Sequence, residues 1–144
     1  MPHVDRAESA AELAQSLRTS LTAMLTVGNA SEAIDFYERA FGAREIRRVV
    51  APTGQIVAEL SLGEERFFVV DENRPAFNVS PTTLGGTSVR MNLVVDDPDA
   101  LWKRAIAAGA SVVFPIADQP YGMRQGRVGD PFGHHWLIGK RLGA

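Results

Sequence analysis

The side chains best equipped for chemistry gather near the C-terminus, in Asp130-Pro131-Phe132-Gly133-His134-His135-Trp136-Leu137-Ile138. Pro131 fixes φ and Gly133 tolerates a positive φ, so a tight turn is expected to feed a strand there. Alternate residues of a strand face opposite ways, which sets His134, Trp136 and Ile138 on one face and His135 and Leu137 on the other. Histidine titrates near neutrality, so His135 is a candidate general base, although the sequence identifies no carboxylate to orient it. His134 suits a structural role, its ring bonding nearby backbone, and Trp136 reads as core or as a cleft wall. Upstream, Tyr121, Arg124 and Gln125 belong to a loop-to-strand segment that either lines a cleft mouth or forms a solvated hairpin.

Other chemistries are excluded by residue type or by context. The chain has no cysteine, which removes disulfides, thiolate zinc sites and cysteine nucleophiles. Gly85-Gly86 lacks the lysine and helix start of a phosphate-binding loop, and no serine sits in a nucleophile elbow. Asp96 and Asp97 are explained by helix capping. Lys and Arg total 15 against 17 Asp and Glu, for a net charge of -2, and form no long run. No nucleic-acid partner is expected. No apolar run reaches the roughly 20 residues that cross a bilayer, so no membrane partner is expected either. Residues 1–20 contain Asp5, Glu8 and Glu12 and do not read as a secretory signal. A cytoplasmic location is the expectation.

These groups must be positioned by a folded body. With 144 residues, 45% of them hydrophobic, the chain is expected to form one domain with a sound core. Ala10, Leu13, Ala14 and Leu17 recur at helical spacing, predicting a helix over 7–17. Residues 1–20 are therefore assigned as an N-terminal helical extension, packed on the body or on a partner subunit, or else a frayed leader. A single domain is assigned to 21–144, with modules at about 21–72 and 87–140.

The modules repeat one order of elements. In the first, a strand near 21–27 precedes a helix capped by Asn29, with Glu32 three residues on and Gly42 at its end. Ile34, Tyr37 and Phe41 form its apolar stripe, and strands are predicted near 45–50, 55–62 and 66–70. In the second, a strand near 89–95 precedes a helix capped by Asp97 with Pro98 at its first position, ended by Gly109. Leu101, Ala105 and Ala108 form its stripe, and strands follow near 111–116, 123–128 and 134–138. The linker 71–86, with two prolines and two glycines, reads as a long exposed loop. The whole is a tandem β-α-β-β-β arrangement of α+β class.

Leu25-Thr26-Val27, Ala33-Ile34-Asp35-Phe36-Tyr37, Ala40-Phe41-Gly42, Val57-Ala58-Glu59-Leu60, Tyr121-Gly122-Met123-Arg124 and Asp130 to Trp136 occur in one order. That ordered set resembles the vicinal oxygen chelate superfamily, also called glyoxalase/bleomycin resistance/dioxygenase, and within it the PhnB-like branch. The resemblance spans about 22–140. It implies paired modules forming a curved mixed sheet with a cleft, commonly in a homodimer. Metal-dependent members hold a divalent ion there through His, Glu, His and Glu on four strands, and the ion acts as a Lewis acid on vicinal oxygens. Metal-free members bind and sequester drugs.

Carried over by motif, the four ligand positions fall on Thr22, Glu59, Arg90 and Leu137. Only Glu59 binds a metal strongly, so no metal cofactor is predicted. The resemblance leaves an alternative, a relocated Zn, Ni, Mn or Fe site using Glu59 and His135 with His3 or a second subunit. Glu59 and Arg90 are expected within salt-bridge reach, a pair in place of metal and ligand, or else Arg90 presents its planar fork to an anionic or carbonyl-bearing ligand. Strand parity adds Asn92 to Arg90 and Met24 to Thr22. The expected function is small-molecule binding by Thr22, Met24, Glu59, Arg90, Asn92, Tyr121, Arg124, His135 and Leu137. Catalysis by Glu59 and His135 in a lyase, isomerase or dioxygenase is the alternative, and an interaction module built around the N-terminal helix is a third.

Overall fold

The structure, a computed structural model, describes residues 9–13 and 18–143. Residues 9–13 are helical and exposed; the rest of the N-terminal extension, with His3, lies outside the described residues. Eight strands follow: β1 (Ala23–Val27), β2 (Arg44–Val50), β3 (Ile56–Leu62), β4 (Glu65–Asp71), β5 (Arg90–Val94), β6 (Ser111–Asp118), β7 (Met123–Gly129) and β8 (His135–Arg141). The helices are α1 (Ala30–Phe41), α2 (Pro81–Leu84) and α3 (Pro98–Ala108). The strands make two four-stranded mixed sheets ordered β1-β4-β3-β2 and β5-β8-β7-β6. In each, the first strand pairs parallel to the last and the rest are antiparallel.

Local chemistry explains where the helices start and stop. Asn29 accepts a hydrogen bond from the Glu32 N–H, and Gly42 closes α1 with φ 74°, a conformation that glycine adopts without Cβ strain. Asp97 caps α3 through the Ala100 N–H, with Pro98 at its first position. The linker is not the plain exposed loop its composition suggests. Ser80, buried, caps α2 through the Thr83 N–H, and its own N–H and hydroxyl donate to Glu72. Pro81, the first residue of α2, packs so closely on Gly133 that a Cβ there would meet it at 2.8 Å. The capping signals of Ser80, Pro81 and Gly85 were in the sequence, but a helix of one turn has too few apolar positions to show a period.

One core serves both sheets. Leu25, Val27, Ala58, Leu60, Phe67 and Val69 from the first sheet join Val128, Trp136 and Ile138 from the second, with α1 between them. The Trp136 ring lies 4.6 Å from Phe41, 5.4 Å from Tyr37 and 5.8 Å from Phe67, centroid to centroid. Each such side chain contributes about 1.5–3 kcal/mol by leaving water. A buried carboxylate fixes the junction. Asp130 accepts from the Tyr37 hydroxyl at 2.5 Å and the Trp136 indole N–H at 3.0 Å. Its other oxygen accepts from the Phe132 and His134 backbone N–H groups, both at 2.9 Å. Burial, and next the adjacent carboxylate, push the Tyr37 phenol well above its ordinary value of 10.0.

Candidate outer-face binding site

Strand alternation gives each sheet a second face, on the far side from the shared core. On the first sheet, Arg47, Glu59, Phe68 and Met24 stand in one register row, with Val49, Val57, Val70 and Thr26 in the next. On the second, Arg90 pairs with His135, and Asn92 with Leu137, which in turn pairs with Arg127. Of the residues singled out from sequence, Arg90, Asn92, His135 and Leu137 therefore share one face, and Met24 and Glu59 another. Thr22 precedes β1 and is half-buried.

The expected Glu59–Arg90 pair does not form within the chain. Glu59 instead pairs with Arg47 at 3.3 Å, and the common core separates its face from that of Arg90. A β-bulge between Glu45 and Arg47 shifts the parity of β2, which is why this partner was illegible from spacing. Arg124 is also redirected. It lies on the helix side, bonded to Asp99 of α3 at 2.7 Å and to Asp118 at 3.0 Å. Those contacts hold Asp99 below the usual carboxylate range and raise Arg124, each chiefly through the side-chain hydrogen bonds they share. The His134 ring donates to the Thr26 carbonyl at 2.8 Å, tying the final turn to β1. His135 lies over Gly129, where a Cβ would stand 3.8 Å from its Nε2.

A cavity of about 270 Å³ opens on the outer face of the second sheet. Arg90, Phe114, Tyr121, Gln125, Arg127 and Leu137 line it. Tyr121 donates to the Gln125 side-chain oxygen at 2.7 Å, and the Arg127 guanidinium stands over the Phe114 ring, 5.3 Å from its centroid. Arg127 and Phe114 were missed from sequence, although Arg127 shares parity with Gln125 two residues away. A larger hollow of about 530 Å³ lies on the helix side and holds none of the sequence-predicted residues. Three of its charged groups are already engaged, Arg39 with Asp35 and Glu72 with Ser80. The smaller cavity, whose arginines have no such partners, is the better candidate.

The residues at the four ligand positions do not fit a divalent metal. They supply one carboxylate already bound to an arginine, one hydroxyl, one guanidinium and one alkyl group. Among the described residues no three His, Cys, Asp or Glu side chains are grouped to hold a metal ion.

This architecture is that of the glyoxalase/bleomycin resistance fold. The chain belongs to the Glyoxalase/Bleomycin resistance protein/Dioxygenase superfamily, whose family model matches residues 19–138. It is 40% identical over 146 residues to the uncharacterized protein Rv0887c of Mycobacterium tuberculosis, covering 96% of this chain and 85% of that one. Among solved structures it is similar to TioX from Micromonospora sp. ML1, at 31% identity and TM-score 0.65, covering 86% of this chain and 99% of that one. The Arabidopsis thaliana At5g48480 product also has TM-score 0.65, at 30% identity, over 83% of this chain and 94% of that one.

Proposed function

We propose that this chain is a small-molecule binding protein of the PhnB-like branch, working without an essential metal on the outer faces of its sheets. The observation that carries the reading is the 270 Å³ cavity, in which Arg90, Gln125 and Arg127 converge beside the apolar faces of Phe114 and Leu137. The ordered Tyr121-Gly122-Met123-Arg124 and Asp130-to-Trp136 motifs support the branch. His135 has no carboxylate bonded to its ring among the described residues, so binding is favoured over general-base catalysis by that residue. The lack of cysteine agrees with a cytoplasmic setting.

A homodimer completes the proposal. Met24 is 59% exposed, Val94 54% and Phe114 58%, all at outer-face positions in register with the strands. Apolar groups left in water on a face with polar neighbours mark a surface that something covers. A second copy laying its first sheet over the second sheet of this chain would bury them and roof the cavity.

The test is a screen of drug-like fragments against chelator-treated protein, read from the protein's amide NMR shifts. Binding that maps to Leu137 and Tyr121 and persists without metal is the expected result. Binding that vanishes with chelator and returns with Zn, Ni, Mn or Fe would reinstate the metal-dependent alternative.

A further inference from the structure

The chain carries a net charge of -2, yet its outer faces are basic. By strand register, Arg44, Arg47, Arg66, Arg90, Arg127 and Arg141 share those faces with a single carboxylate, Glu59. Arg47 engages Glu59, and none of the other five has an acid within ion-pair distance among the described residues. Two of the five, Arg90 and Arg127, line the 270 Å³ cavity. The Arg127 Nε is buried and bonds to no acceptor among the described residues, and an unpaired buried donor is normally avoided. Its guanidinium is nonetheless held in place over the Phe114 ring. Leu137 lies in register with Arg127 on one side and Asn92 on the other, giving the cavity an apolar floor.

We infer that this cavity is an anion site for a planar aromatic carboxylate, its ring on Leu137 and Phe114 and its carboxylate taken by Arg90 and Arg127. The planar fork of arginine matches a carboxylate in shape as well as charge, and hydrogen bonds between charged partners are the stronger kind. A covering second copy does not cancel the site. The one carboxylate on its outer faces, Glu59, cannot neutralise both cavity arginines. The inference rests on the proposed binding role of the outer faces and adds the chemical class of the ligand.

The probes are 2-naphthoate and its uncharged counterpart 2-naphthamide, titrated calorimetrically into the full chain, with amide NMR shifts locating each. The acid is expected to bind at least about tenfold more tightly than the amide, as charge-assisted bonding requires. Arg127→Gln and the exposed Arg90→Gln should each remove most of that preference. Lys103→Gln on α3 should leave the preference intact. Equal affinity for acid and amide, or loss of the preference in Lys103→Gln, overturns the anion site. If the amide still shifts Leu137 and Tyr121 in that case, small-molecule binding at the outer face stands. If neither probe binds, the carboxylate inference fails, and the neutral fragment screen decides the binding role separately.

Discussion

Asp130 accepts from four donors, of which the Tyr37 hydroxyl ties it to the first half of the chain, and its replacement tests how much that junction contributes. Tyr37→Phe leaves the buried carboxylate one donor short and should cost about 1–3 kcal/mol, read from the urea midpoint. Asp130→Ala strands Tyr37, Trp136 and two backbone N–H groups and should cost more, since each buried donor left unpaired costs about 1–3 kcal/mol. The phenol also sets an alkaline limit. Because the Tyr37 value is raised in the folded state, its contribution is complete below pH 10.0 and falls as pH rises beyond it toward the folded value. The tyrosine is visible in the sequence as part of a helical stripe. Its acid partner lies 93 residues away, a separation that no local pattern encodes.

At the level of elements, the linker and the glycines carry the sharpest expectations. Hydrogen bonding from the Ser80 backbone, followed by that from Thr83, holds the Glu72 carboxyl below its ordinary value of 4.5. A depressed acid stabilises the fold above the unfolded value and loses that contribution as pH falls through the folded one. Glu72→Gln should therefore flatten the acid limb of a thermal-melting profile below about pH 5, where unfolded carboxylates take up protons. Gly126→Ala should destabilise by about 1–3 kcal/mol, the usual cost of overpacking. A Cβ there would stand 2.6 Å from the Trp102 ring and 2.7 Å from the Ile116 backbone. Thermal melting of the two variants, each beside the parent protein, reads both effects. The caps at Asn29, Gly42, Asp97 and Gly109 were legible because each is a local signal with one geometry. The bulge in β2 was not, because nothing in Glu45-Ile46-Arg47 distinguishes an extra residue from an ordinary one.

For the whole molecule, alternation reveals that each strand has an inner and an outer face but not what each face meets. Parity links Arg90 with Asn92 and His135 with Leu137, the resemblance brings the two pairs to one cleft, and the register sets all four on one face. The resemblance also joins them to Glu59 in that cleft, whereas within the chain the core-facing sides meet and the outer sides stand apart. The arrangement explains the exposed apolar groups on the outer faces and leads to a prediction of mass. Sedimentation should give a species of about twice the 15.6 kDa chain, and Met24→Lys with Val94→Lys should shift it toward monomer, since like charges buried in an apolar interface are costly.

The most direct test of the central claim is the fragment screen on metal-free protein, with amide NMR shifts mapped onto the sheets. The account predicts shifts at Arg127, Leu137 and Tyr121 that are unchanged by chelator. Binding confined to the helix-side hollow around Asp35 and Glu72, or binding only after metal is restored, would contradict it.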